Sequence, residues 1–333
     1  MTRDLSDWCY PCGTVAVLEI HLLGAHAPGE PVGAPASPEE LLARLRHSPV
    51  YAALHLPRHS RPMGVIDAVE RALVAFVRGF VRLCPDPRVA DAFLIDYDLR
   101  DLSNYLKATC CGTERRRVEL SRLPEDDEEI EAFVEGEPPL RAIAAALDHA
   151  RRAGDGSVTP HTVDLVVDGA YIAMIPELVA PLGSELLDAW ARERQRFFAA
   201  GTVVRARLAG VEPAEIHDTL LWRMPPHCAA AELADVELGA LRRTLADRLS
   251  PEAAADFDPA EGAPAMQRLV LALDAVLARV LAPARYVAFG PERVFRFLWQ
   301  LFGENRNVRA ALAGFGGQLE PELVALSMRG TNG

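Results

Sequence analysis

The chain has 333 residues, half of them hydrophobic and a quarter charged, with a formal net charge of −12. That length allows two or three packing units around a sizeable core, and the acidic excess argues against a nucleic-acid binder, which needs a basic face. Six dispersed cysteines in a chain this long read as reduced thiols in a cytoplasmic setting, not as a disulfide scaffold.

In chain order, the N-terminus carries Arg3, Asp4 and Asp7 without the charged-then-apolar order of a secretory signal. Thr14 to Leu22 is apolar enough for a strand, and its spacing fits a helix equally well. Ser37-Pro38-Glu39-Glu40 supplies a cap, a first-turn proline and two early acids ahead of Leu41, Leu42 and Leu45, which predicts a helix start. Apolar residues recur at three and four from Val65 to Val81. The same spacing predicts helices over Pro139–Ala150, Thr162–Ile175, Ser184–Leu208, Asp235–Leu249, Ala265–Leu281 and Pro291–Leu312. Stretches rich in proline, glycine or charge read as linkers: Ala25–Ala36, Leu56–Gly64, Leu123–Pro139, Arg152–Pro160 and Leu221–Pro226. The acidic run Glu125 to Glu129 reads as a solvated segment within one of them. Leu269–Phe289 is the most membrane-like stretch. Asp274, Arg279 and Arg285 interrupt it, so no uninterrupted apolar run long enough to span a bilayer is expected in the chain.

An internal repeat organises the chain. Val204-Arg205-Ala206-Arg207-Leu208-Ala209-Gly210 recurs, with one change, as Val308-Arg309-Ala310-Ala311-Leu312-Ala313-Gly314. Leu106-Lys107-Ala108-Thr109-Cys110-Cys111-Gly112 is a weaker third copy, and the three glycines lie about 100 residues apart. Each copy has the form of a helix end: a base near the negative terminus, then a glycine for a left-handed exit. Two copies lead to a new helix start, Glu212-Pro213 and Glu320-Pro321. The period exceeds that of short helical-repeat arrays and points to three helical bundles.

Four segments carry a family resemblance. Asp98-Leu99-Arg100-Asp101-Leu102, running on to Leu106-Lys107-Ala108, resembles an Asp-Leu-His-Asn-Leu segment leading to Leu-Arg-Ala. Glu304-Asn305-Arg306-Asn307-Val308-Arg309 with Gly314 resembles a Glu-x-x-Asn-Leu-Arg segment with its downstream glycine. Ser37 to Leu41 through Pro49-Val50-Tyr51 and Val163-Asp164 through Tyr171 add two looser matches. The family is the C subunit (d in vacuolar enzymes) of V/A-type ATPases and ATP synthases. Asp101 stands where that family has asparagine, and Phe198-Ala199-Ala200 stands where an asparagine-leucine pair is expected.

The resemblance implies an all-α funnel of three similar helical bundles about a pseudo-threefold axis, as modules 1–125, 126–225 and 226–333. It implies a non-catalytic coupling subunit without cofactor or metal, peripherally attached on the cytoplasmic face of the membrane. Its partners would be the central-stalk subunits and the membrane proteolipid ring, with no nucleic acid and no direct membrane span. The motif residues Asp98, Asp101, Glu304, Asn307 and Arg309 are the interaction candidates. Their bland alternative is a Glu–Arg pair and an amide bonded inside the bundle. Phe289, Phe295, Phe297, Trp299 and Phe302 read as core, part of which could face a partner ring.

Other chemistry is weaker. Lys107 is the only lysine and follows no glycine-rich loop, so there is no P-loop. Trp8-Cys9-Tyr10-Pro11-Cys12 resembles the thioredoxin-type Trp-Cys-x-Pro-Cys, in which a helix N-terminus activates the first thiol. That motif should follow a strand, and only seven residues precede Trp8. A thiol-disulfide protein using Cys9 and Cys12, and an unrelated helical scaffold, are the alternatives to the coupling subunit. Cys110 and Cys111 read as buried thiols, and His55 and His59 as loop residues.

Overall fold

The computed structural model describes residues 5–22, 37–54, 62–136, 138–153, 158–220, 229–317 and 324. His55, His59, the stretches 25–36 and 221–226, and Glu320-Pro321 lie outside them. The chain is all-α, with no strand among the described residues. The Thr14–Leu22 ambiguity is settled as helix: α1 spans Cys9–Leu18 and ends in a 3-10 turn, Glu19–His21.

The remaining helices follow in order. They are α2 (Pro38–Arg46), α3 (Pro62–Phe80), α4 (Asp91–Cys111), α5 (Asp127–Gly136), α6 (Pro138–Ala153), α7 (Pro160–Val179) and α8 (Glu185–Leu208). Then come α9 (Pro213–Thr219), α10 (Ala230–Asp235), α11 (Leu241–Arg248), α12 (Pro251–Ala254), α13 (Ala263–Leu281) and α14 (Pro291–Phe315). Three times a long helix leads through a short 3-10 link into a second long helix: α3 to α4, α7 to α8, and α13 to α14. Of the expected helix Asp235–Leu249, only α11 is α-helical; Asp235 ends α10, and a 3-10 turn at Leu238–Ala240 leads into α11. The acidic run expected as linker instead opens a helix, because Asp127, Glu128 and Glu129 fill the first turn of α5, where the dipole favours negative charge.

Local signals set the ends. Ser37 Oγ accepts from Glu40 N at 3.2 Å, capping α2 as its sequence predicts. Thr159 and Thr162 form a reciprocal capping box at the start of α7. Gly112 and Gly210 close α4 and α8 with φ of 67° and 80°, a region that penalises a Cβ. The third repeat copy departs from this pattern. Gly314 stays helical, and the left-handed exit moves to Gly317, with φ 66°. Gly314 is needed for room, since a Cβ there would stand 2.5 Å from Val324 Cγ2.

The described residues divide into two compact units. Unit 1 comprises Met1–Phe93, Leu182–Leu187 and Asp274–Gly333; unit 2 comprises Leu94–Pro181 and Asp188–Leu273. In unit 1, helices α1, α2 and α3 all pack on α14. In the aromatic first half of α14, Phe295 and Phe297 are core, while Trp299 and Phe302 are only half-buried. Phe295 lies 4.8 Å from Phe93 between ring centres, Phe302 lies 5.2 Å from Phe93, and Phe297 lies 5.8 Å from Phe80. Phe289 departs from the expectation and is 47% exposed, because it precedes the helix and its buried face.

In unit 2, α6, α7 and α9 pack on one another. The segment Pro160–Leu182 is long and apolar enough to cross a membrane by length and composition, and 56% of its most apolar stretch is buried within the fold. Helix α7 also runs on past Ile175, through Pro176. A proline there has no N–H for the carbonyl four residues back, Ile172 O. Gln195 of α8, buried at 3% exposure, supplies the missing donor: its Nε2 donates to Ile172 O at 2.8 Å. Replacing Gln195 by Leu is expected to destabilise the protein by about 2 kcal/mol, the penalty for an orphaned buried carbonyl. Adding Pro176→Ala, which restores the helical donor, should return most of that loss in urea unfolding.

Candidate functional site

The five motif residues fall into two groups. In unit 2, Asp98 and Asp101 lie one turn apart on α4 and are buried. Asp98 Oδ1 accepts from Arg122 N at 2.7 Å, and Oδ2 accepts from Arg122 Nε at 2.8 Å. Asp101 Oδ1 accepts from Val118 N at 3.1 Å. Together they fasten the extended stretch that follows α4 back along the helix, satisfying backbone that has no helix of its own.

In unit 1, Glu304, Asn307 and Arg309 lie on the last turns of α14, the first two buried. Arg309 is paired through Nη1, 2.6 Å from Glu70 Oε1 on α3. The Glu–Arg pair read from the motif would have joined Arg309 to Glu304 of the same helix; the acid that Arg309 meets is instead Glu70, from a distant helix. Arg306 Nη1 meets Asp274 Oδ2 of α13 at 2.8 Å. Residues on the last turns of α14 thus reach carboxylates on both α3 and α13, and Glu70 and Asp274 are themselves buried. Glu70 is not marked by its sequence neighbourhood, and Asp274 shows only as an interruption of the apolar stretch Leu269–Phe289.

The same device recurs at the base of each repeat copy. Lys107 of α4 lies 2.6 Å from Asp164 of α7, whose Oδ1 also accepts from Ser103 Oγ at 3.0 Å. Arg205 of α8 pairs with Asp168 of α7, and Thr202 Oγ1 donates to Asp168 Oδ2 at 3.2 Å. So Lys107, Arg205 and Arg309, three equivalent positions, each bind a carboxylate from another long helix. A shared repeat position predicts a shared structural task. The partner acid cannot be read from the repeat, because it arrives from elsewhere in the chain.

Asp168 is the most perturbed carboxyl among them. Burial pushes its pKa up from 3.8 to about 6; Arg205 and Thr202 pull it down, and Asp164 and Asp96 push it further up. Desolvation outweighs the guanidinium, so this ion pair is a poor bargain for stability above pH 6.

The cysteines divide differently from expectation. Cys110 and Cys111 are half-buried: Cys111 Sγ donates to Val158 O at 3.2 Å and Arg151 Nη2 donates to Cys110 Sγ at 3.3 Å. Near the N-terminus, Cys9 is exposed and Cys12 is buried. Among the described residues, no group of three or more His, Cys, Asp or Glu is placed to hold a metal ion.

Comparison of the chain with protein-family models finds no match. Comparison with curated proteins finds none either.

Two measurements follow from this geometry. Glu70→Ala and Arg309→Ala should each destabilise the protein, with a coupling of about 1–2 kcal/mol in a double-mutant cycle. For Asp168, a folded-state pKa above the ordinary one means that the folded chain holds the proton more tightly than the unfolded chain. The ionised form therefore weighs against folding above pH 6, and the penalty fades as pH falls toward 4. Measured against Asp168→Asn, the wild type should lose on the order of 2 kcal/mol of unfolding free energy between pH 4 and pH 7.

Proposed function

We propose that the chain is a non-catalytic coupling subunit of a rotary V/A-type ATPase or ATP synthase, linking the central stalk to the membrane rotor ring. It would be a peripheral, cytoplasmic-side subunit held by protein partners, with its three repeat modules arranged about a pseudo-threefold axis. It would need neither cofactor nor chemistry of its own.

The observation that carries this reading is the repeated ion pair. Lys107, Arg205 and Arg309 hold the same place in three repeat copies, near the ends of three long helices, and each reaches a carboxylate on another long helix. Three successions of paired long helices accompany them. A threefold module built this way suits a rigid part that passes torque. The resemblance at Asp98–Ala108 and Glu304–Gly314 supports the choice of a rotary ATPase as the machine. In this reading Asp98, Asp101, Glu304, Asn307 and Arg309 hold the modules in shape, and contact surfaces for stalk and ring lie elsewhere.

Deleting the gene in the cell that makes this protein tests the reading. ATP-driven ion pumping by membrane vesicles should fall to background while ATP hydrolysis by the detached catalytic head persists. Complementation with the wild-type gene should restore pumping. Vesicles that pump at the wild-type rate without the chain would sink the proposal.

A further inference from the structure

The first turn of α1 carries a feature that torque transmission does not use. Cys9 is the first residue of this helix and is exposed; Cys12, one turn later, is 3% exposed. Trp8, at 2% exposure, and Pro11 are buried beside them, so both flanking side chains anchor this turn in unit 1. Helix geometry sets two Cα atoms three residues apart at about 5 Å. That lies inside the range a disulfide spans.

We infer that Cys9 and Cys12 form a dithiol–disulfide couple that exchanges with small disulfides such as glutathione disulfide, Cys9 as the attacking thiol and Cys12 as the resolving one. The inference is independent of the coupling-subunit reading.

The roles follow from exposure. Cys9 is open to a small disulfide, and Cys12 is enclosed, with its Sγ–H donating to Gly290 O at 3.5 Å. Burial raises the Cys12 thiol above its ordinary value, which keeps it protonated until a mixed disulfide stands beside it. Cys84 is also buried, and burial together with Cys12 and Asp86 pushes it up to about 12, so it stays a thiol. In the first step the Cys9 thiolate attacks one sulfur of glutathione disulfide, forming a mixed disulfide and releasing one glutathione thiolate. Cys12 then loses its proton and attacks the Cys9 sulfur, forming the internal disulfide and releasing the second. Two electrons pass from the protein to the small disulfide, and the two protein protons end on two glutathione thiols. Closing the couple withdraws the Cys12 donor from Gly290 O, the residue that precedes α14.

The test equilibrates the full-length reduced protein with glutathione buffers of graded oxidation, quenches in acid, alkylates under denaturing conditions and maps peptides by mass. The expected result is an internal Cys9–Cys12 disulfide that grows with oxidation, with Cys84, Cys110 and Cys111 still alkylated. Cys12→Ser should accumulate glutathione on Cys9. Cys9→Ser should form no internal disulfide at Cys12. Circular dichroism confirms that each variant is helical, and Tyr10→Ser serves as a folded control that keeps the wild-type behaviour. A wild-type protein that stops at the Cys9 adduct, joins Cys12 to Cys84, or keeps both thiols alkylatable in fully oxidising buffer overturns the inference.

Discussion

A carboxylate set into a long, largely apolar helix must meet a cation on a neighbour or carry a desolvation penalty of several kcal/mol. Helices α3, α7 and α13 each contain such acids, Glu70, Asp168 and Asp274, and α7 adds the half-exposed Asp164. Their cations come from α4, α8 and α14. Apolar faces alone tolerate many rotations and slides of one helix on another. A buried acid with one reachable base does not. In unit 1 these pairs therefore select which faces of α3 and α13 meet α14. Asp168 shows the limit of the device, since burial there outweighs its guanidinium.

Helix α14 combines two kinds of packing in one element. Its first half contributes Phe295, Phe297 and Phe302 to an aromatic core with Phe80 and Phe93. Its last turns hold Glu304, Asn305 and Asn307 in the interior, beside the paired Arg306 and Arg309. The greasy half supplies burial and the polar half supplies register. Helices α1, α2 and α3 all rest on it, so unit 1 has one spine.

Much of this was legible before any coordinates. Helical spacing and low strand content indicated an all-α chain, Ser37 marked a real cap, and the glycines of two repeat copies marked real helix exits. What was hidden depends on contacts between distant residues. The expected helix ended at Ile175, short of Pro176, because a local rule cannot know that Gln195 will serve Ile172 O. Gly314 fits the exit pattern of its homologous copies but answers to Val324 instead. Of the candidate residues, Arg309 was visible through the repeat, while Glu70 and Asp274 were not, because an isolated acid in a helix looks the same whether it faces water or a partner. Cys110 and Cys111 sit at a helix end beside loop backbone, which leaves them half-buried where an apolar reading enclosed them.

The single lysine has a practical corollary. Lys107 is the only side-chain amine in 333 residues, and it is joined to Asp164 at 2.6 Å. Apart from the chain terminus, any amine-directed label has one address, and that address is the ion pair between α4 and α7. Nearly all other positive charge is arginine, which such reagents ignore. The protein thus comes with a built-in reporter: the rate at which this one amine is acylated reads how readily its ion pair with Asp164 opens, without any engineered probe.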